Sequence, residues 1–314
     1  MSRWNISDRD LGHSPELRVP SDQPGTESGG ANRSVGRGGS RGSSDDAFGR
    51  RERSTEPKVQ APRERRVQHQ YRDQTYSLRS SEMQAMIDMG RFRTVDVRDL
   101  ARFVYGGDES HQRGDLGNLR RQGLIEEKTL FSTHRSARKI VTLTEQGHRI
   151  VWQASGLPEG QRIYHGFVKP KDHDHDADLY KVYQKAVLEI QEKGAKPLRV
   201  RLDFELMESI NRVIEASRRL SHEERAIRLR AIAEENGLTL KGATIHLPDI
   251  QVEYETRDGN VERENLELIS KNYGVDGIRG KAAAGFKMYA RSGETNRVRR
   301  ALADTGLVQE VRSL

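Results

Sequence analysis

Two carboxylates and a lysine in the C-terminal third of the chain have the side-chain types that act on phosphate esters. Asp249 follows a proline at the start of an alternating apolar run, and Glu267 lies in a second such run. Lys281 lies in a basic stretch rich in alanine and glycine. Carboxylate oxygens are hard ligands for Mg²⁺, which polarises a phosphate and activates water, and a lysine stabilises developing negative charge. Residues of these types could carry out phosphodiester chemistry if the fold brings them together.

The elements predicted around these residues place both carboxylates on paired strands. Alternation predicts strands over 244–254 and 261–270, and the Asp258-Gly259 pair between them is a hairpin signal. The other elements predicted in this half are a helix at 177–194, a strand at 196–202, two charged helices inserted at about 203–237, helices at 278–291 and 297–305, and a last strand at 307–312.

This order of helix, three strands, helix and strand resembles the core of the PD-(D/E)xK nuclease-like fold, an α/β domain that would cover residues 173–314. The resemblance implies that Asp249 belongs to the PD element and that Glu267 is its acidic partner. It implies that Asp249, Glu267 and Lys281 are catalytic. It also implies that Asp249, Glu267 and Glu189, on the preceding helix, bind Mg²⁺.

The sequence departs from the family pattern where the family carries its lysine, two residues after the acid. Ile269 occupies that position here. Lys281 is the best substitute and Lys271 the second. Because a migrated lysine and an inactive site predict the same sequence, catalysis stays open beside a non-catalytic interpretation.

The His-Asp-His-Asp run at 173–176 has two interpretations. Alternate residues could both bind a metal only from an extended loop, because positions i and i+2 diverge on a helix. The simpler interpretation is that Asp174 or Asp176 caps the following helix. A functional His175 is the alternative.

Residues 74–154 read as three helices, the first over 76–90, then a strand pair with a basic tip and a closing helix, which is the order of a winged helix-turn-helix. The phrases LRRQGLI (119–125) and LTEQG (143–147) resemble the recognition-helix exit and wing exit of winged-helix regulators. Seven basic and three acidic residues within 111–139 favour double-stranded DNA as the partner. A docking or dimerisation module is the alternative.

The winged-helix resemblance implies which side chains touch DNA. Those assigned to base edges are His111, Arg113 and Asn118. Those assigned to the phosphate backbone are Arg121, Arg135 and Arg138.

Composition limits the rest of the chain. Residues 1–73 are rich in glycine, serine and arginine without a helical or strand period, which predicts a disordered tail. Residues 155–172 are punctuated by glycine and proline and are predicted to be a linker. No apolar run approaches the about 20 residues that span a bilayer, which predicts no membrane partner. The chain has no cysteine, and a cytoplasmic location is expected.

The winged helix followed by a PD-(D/E)xK-like domain, an α+β chain overall, resembles the replication-relaxation family of plasmids and other mobile elements. Leu266-Glu267-Leu268, Tyr273 and the KAAAGF phrase at 281–286 carry this impression for the second domain. The resemblance implies a role in replication, mobilisation or their control. It leaves two open forms, a Mg²⁺-dependent endonuclease and a non-catalytic regulator or docking module for a relaxase or replication protein.

Overall fold

The computed structural model describes residues 5–6, 64–132, 135–167, 173–241, 244–303 and 311–314. Within these ranges the chain is an α+β protein with nine helices and thirteen strands in four sheets. No helix among the described residues is long and apolar enough to cross a membrane. The predicted tail lies mostly outside the described residues. Its residues 5–6 form strand β1 (Asn5–Ile6).

The first half contains four helices around a short sheet, and the predicted helices and hairpin between 95 and 154 form there. The elements are β2 (Val67–Tyr71), β3 (Gln74–Leu78), α1 (Ser80–Phe92), β4 (Val95–Asp96), α2 (Val97–Phe103), α3 (Glu109–Arg121), β5 (Ile125–Ser132), β6 (Arg135–Leu143) and α4 (Glu145–Ala154). The short sheet has three strands in the order β4-β6-β5.

The predicted start of this half is wrong in two respects. The helix predicted from Tyr76 begins only at Ser80, and residues 67–71, assigned to the tail, form a strand paired with β3. Tyr76 and Leu78 alternate with exposed or half-buried neighbours and are buried. Strand alternation therefore outweighs the helical pattern at this position.

The second half is built on a five-stranded sheet. The elements are α5 (His173–Glu192), β7 (Lys196–Leu202), α6 (Asp203–Ala216), α7 (His222–Glu235), β8 (Leu240–Lys241), β9 (Thr244–His246), β10 (Ile250–Glu255), β11 (Val261–Ile269), α8 (Val275–Ala283), β12 (Lys287–Ala290), α9 (Thr295–Ala303) and β13 (Val311–Ser313). The strand order in the sheet is β13-β12-β11-β10-β7. Its first three strands in chain order pair antiparallel, and the last two join in parallel.

The helix predicted at 278–291 is two elements. Helix α8 ends at Ala283, and Gly285 has φ of +80°, the left-handed conformation that glycine adopts without strain. The chain then enters β12, where Met288, Tyr289 and Ala290 are fully buried. The apolar run after Gly285 is therefore an interior parallel strand, which periodicity alone does not distinguish from a helix segment.

The two faces of the sheet have different chemistry. One face is apolar and packs, through α5, into a core that continues into the first half, where Phe92 contacts the rings of Tyr180 and Tyr183. The other face is polar along β10 and the first part of β11, whereas Ile269, Met288 and Ala290 on that face pack in a second apolar core with α8 and α9. Three side chains of the polar part donate hydrogen bonds of 2.8–2.9 Å to backbone carbonyls at the C-terminal end of α7. Arg263 donates to the carbonyl of Glu235, Gln251 to that of Asn236, and Asn265 to that of Gly237. These bonds dock the inserted helices and satisfy a helix C-terminus.

The described part of the predicted linker, residues 155–167, is held against both halves. The backbone N–H of Tyr164 donates to Gly90, and that of Gly166 donates to Leu143. The side chain of Gln161 exchanges two hydrogen bonds with the backbone of Val200. The remaining linker residues lie outside the described ranges.

A buried ion cluster joins the hairpin to α5. The guanidinium of Arg138 lies 2.5 Å from Asp96, 2.9 Å from Asp178 and 3.3 Å from Asp174. Arg291 lies 2.5 Å from the other oxygen of Asp178. Burial alone would lower the pKa of Arg138, but Asp178 and Asp96 raise it, so the arginine stays charged. The prediction that Arg138 contacts DNA is therefore wrong, because its side chain neutralises internal carboxylates.

Arg138→Met should lower the free energy of unfolding by about 3–5 kcal/mol, because it leaves buried carboxylates without their cation. Urea unfolding measures this change. The control is Lys139→Met on the same strand, whose ion pair with Glu127 is exposed and is expected to contribute less than about 1 kcal/mol. Equal small losses in the two variants would contradict a structural role for Arg138.

Candidate functional site

Asp249 and Glu267 lie side by side at the ends of paired strands. Ile250 pairs with Leu266, so the residue before β10 lies opposite Glu267 in β11. The backbone N–H of Asp249 donates to Glu267 Oε2 at 3.2 Å, and the N–H of Leu268 donates to Asp249 Oδ2 at 2.8 Å. The hairpin register thus fixes both carboxylates in one place.

Lys281 reaches this pair from α8. Its Nζ lies 3.0 Å from Glu267 Oε1 and also donates to the Leu247 carbonyl. The Tyr273 hydroxyl donates to the same Glu267 oxygen at 2.5 Å. Lys281 is 3% exposed and Glu267 is fully buried. The structure therefore brings together the three residues that were predicted to be catalytic, but it buries the lysine and the glutamate.

The two carboxyl groups have opposite pKa shifts. Burial raises the pKa of Glu267 to about 7, with a contribution from the charge of Asp249, while Lys281 and Tyr273 act against the rise. Burial would also raise the pKa of Asp249, but His175 and Lys281 outweigh it and lower that pKa. Asp249 is thus the ionised member of the pair at neutral pH, and Glu267 is poised to take up a proton.

Glu189 does not join this group, so its assignment as a metal ligand is wrong. Its carboxylate is bound by Lys287 at 2.6 Å and by Arg312 at 2.7 Å. His175, near the start of the same helix, lies 3.5 Å from Asp249 Oδ1. Fourteen residues separate the two positions, about 21 Å along a helix, so both cannot reach one site.

The alternative in which His175 is functional is therefore the one that the geometry favours. The predicted cap is not formed by Asp174 or Asp176, because α5 begins at His173 and both aspartates lie inside its first turn. Carboxylates there stabilise the helix through its dipole. In the sequence, the only indication of a functional His175 was the His-Asp-His-Asp run, which suggested an extended loop. The run is helical instead.

A cleft of about 220 Å³ opens beside Asp249. Asp249 is the only one of the three predicted catalytic residues that lines it. The other residues around it are Asp174, His175, Leu268, Ile269, Ser270, Lys271, Asn272, Tyr273 and Arg291. Solvent therefore reaches the site from the side of Asp249 and His175.

The side chains around this cleft do not fit a resident Mg²⁺ ion. Mg²⁺ prefers six oxygen ligands and commonly takes one or two carboxylates. Both Glu267 oxygens are already bound by Lys281, Tyr273 and the Asp249 N–H. Among the described residues, no three His, Cys, Asp or Glu side chains are grouped to hold a metal.

The predicted DNA-contact residues divide by exposure. Arg113 and Arg121 are exposed on α3. His111 lies 3.3 Å from buried Asp115, and Asn118 donates to Glu82 at 2.9 Å. Both side chains contact buried acids and stay partly exposed, so their assignment to base edges remains a prediction. The side chain of Arg135 lies outside the described part of the chain.

The exposed face of α3 combines glycines with arginines. A Cβ placed on Gly114 would meet no atom within 4 Å, and one placed on Gly117 would meet only the Arg121 guanidinium, at 3.6 Å. Arg113 and Arg120 flank these glycines and have side-chain exposures of 72% and 63%. We refer to Arg113, Gly114, Gly117, Arg120 and Arg121 as the α3 surface.

The basic run at 279–300 does not form a comparable surface. Most of its lysines and arginines form ion pairs or hydrogen bonds within the protein. Lys287 pairs with Glu189 and Glu264, and Arg291 pairs with Asp178. Arg297 pairs with Glu294 and donates to two backbone carbonyls. Most of its members are therefore not available to neutralise phosphates.

No protein-family model matches the sequence, and no curated protein matches it. Among solved structures, the chain is similar to Bacillus subtilis PadR in complex with operator DNA, at 13% sequence identity and a TM-score of 0.19. That similarity covers 50% of this chain and 90% of PadR. Similarity at this TM-score does not establish a shared fold.

The raised pKa of Glu267 predicts a pH-dependent stability. A carboxyl whose pKa is higher in the folded state binds more protons there, so stability falls as pH rises between the ordinary 4.5 and about 7. We expect the unfolding free energy of wild type to fall relative to that of Glu267→Gln from about pH 5 to about pH 8. Urea unfolding at several pH values measures the difference. A difference that stays level or rises with pH would contradict the shift.

Proposed function

We propose that this protein binds double-stranded DNA through a winged helix-turn-helix at residues 74–154, with α3 as the recognition helix. We further propose that residues 173–314 are a nuclease-like domain of the PD-(D/E)xK kind. On this proposal the chain is a member of the replication-relaxation family and acts in the replication or mobilisation of a plasmid or mobile element. Its protein partner would be a relaxase or replication protein.

The α3 surface is the observation that carries the DNA-binding proposal. Glycine in an exposed helix interior costs about 1 kcal/mol relative to alanine, and no neighbour crowds Gly114. The two glycines leave the helix backbone open to close approach, and three arginines surround it. An anionic partner that must approach the helix closely, as a DNA groove does, explains both features.

The neighbouring elements support the same proposal. The order of α1 to α3 followed by the β5–β6 hairpin is that of a winged helix. Exposed Lys139 lies on the hairpin face that meets α3. A cleft between α2, α3 and the hairpin has Arg98, Arg113, Arg120 and Lys139 around it, against two glutamates.

The order of elements in the second half supports the nuclease-like proposal, since α5, the antiparallel β7–β10–β11 strands, α8 and parallel β12 follow one another around the Asp249–Glu267 pair. The non-catalytic form fits the geometry best, because Lys281 and Glu267 are buried and Ile269 packs in the core against α8. The domain then positions the DNA-binding half and presents its surface to a partner.

The double variant Arg120→Ala/Arg121→Ala should weaken duplex binding and make the slope of log K against log salt less steep by about two, because each phosphate contact contributes about one. Fluorescence anisotropy with a labelled duplex at several salt concentrations measures both. Arg149→Ala, at an exposed position on α4, is the matched control. Unchanged affinity and slope in the double variant would reject the α3 surface.

Gly114→Ala distinguishes an effect on DNA contact from an effect on stability, with the same binding assay and a measurement of unfolding. Alanine should raise the unfolding free energy by about 0.5–1 kcal/mol, yet it should weaken duplex binding because its methyl group blocks close approach. A variant that is more stable and binds DNA equally well would show that the glycine serves no close contact.

A Mg²⁺-dependent endonuclease is the second candidate, favoured by the convergence of Asp249, Glu267 and Lys281 next to a cleft. On the non-catalytic proposal, supercoiled plasmid incubated with wild type and Mg²⁺ stays intact. Gel electrophoresis measures nicking. Nicking by wild type that is lost in both Asp249→Asn and Glu267→Gln would establish the second candidate instead.

A further inference from the structure

The buried Asp249–Glu267 pair needs a positive charge, because an unpaired carboxylate in a low-dielectric interior costs several kcal/mol. Lys281 provides it. Its ammonium is enclosed by the Glu267 carboxylate and the Leu247 carbonyl, and its charge lowers the pKa of Asp249. The neighbouring imidazole of His246 adds no cation, since burial and Lys281 lower its pKa and favour its neutral form.

The surroundings of this ammonium resemble those of a bound metal ion. A carboxylate and a main-chain carbonyl converge on Nζ, and a second carboxylate stands next to them on the paired strand. Such oxygens are the ligands of Mg²⁺ and Mn²⁺. The difference is that the cation here is covalently part of the chain and reaches the site from α8.

We propose that the Lys281 ammonium replaces a divalent cation in this core, so that the wild-type domain is independent of divalent metals and removal of the lysine side chain creates a metal site. This inference is independent of DNA binding by α3. It concerns only what holds the two carboxylates together.

Two substitutions of Lys281 distinguish the loss of its positive charge from the opening of space for an ion. Lys281→Ala removes the ammonium and leaves room for an ion between Glu267 and the Leu247 carbonyl. Lys281→Met also removes the charge, but its side chain fills most of that room. The double variant Lys281→Ala/Glu267→Gln leaves the room and removes one of the two carboxylates.

The test is thermal unfolding of full-length wild type and these variants, with and without MgCl₂ or MnCl₂. We expect the Tm of wild type to be unchanged by either ion. The Tm of Lys281→Ala should rise by about 3–6 °C when the ion concentration is about ten times its Kd. Lys281→Met and the double variant should respond much less.

Two results overturn the proposal. One is a wild-type Tm that rises with Mg²⁺ or Mn²⁺ and loses that rise in Asp249→Asn, since the native domain would then bind the metal itself. The other is a Lys281→Ala variant that does not respond to either ion. If Lys281→Ala does not fold in metal-free buffer, refolding in MnCl₂ gives the same decision, because recovery of the folded state supports the proposal and no recovery rejects it.

Discussion

Buried carboxylates must be neutralised inside the protein, and this constraint decides where many of the lysines and arginines lie. Arg138 neutralises Asp96 and Asp178 at the junction of the hairpin and α5. Lys281 neutralises Glu267 beneath α8. Because breaking a buried pair costs about 3–5 kcal/mol, these contacts fix how the hairpin, α5 and the sheet are arranged. The core that α5 shares between the two halves depends on that arrangement.

The same constraint narrows the surface that can meet nucleic acid. The chain has a net charge of +7 and basic runs in both halves. The structure turns most cations of the 279–300 run inward or onto neighbouring acids, so they contribute to folding. The α3 surface keeps exposed arginines beside open glycines. The proposed DNA binding therefore rests on one helix and its hairpin, and not on the total charge.

Much of the fold was predictable because the elements repeat simple patterns. Alternation in KPLRVRL predicts the 196–202 strand, and the S-x-x-E pattern at Ser221–Glu224 forms the capping box that begins α7. Prediction was wrong where two patterns overlapped. Tyr76 fits a helix as well as a strand, and the run after Gly285 is apolar in both periods. Pairing with β2 makes the segment at Tyr76 a strand, and burial between β11 and β13 makes the run after Gly285 a strand. These pairing partners cannot be recognised from the local sequence of either segment.

By itself, the sequence determined which residue types were available for the site and which strands would carry Asp249 and Glu267. Tertiary structure decided what these residues do. It brought His175 to Asp249, placed Glu189 too far away, and enclosed the Lys281 ammonium between Glu267 and the Leu247 carbonyl. The physical reason is that pKa values and ion pairs depend on burial and on neighbours distant in sequence, which only the packed fold brings into contact.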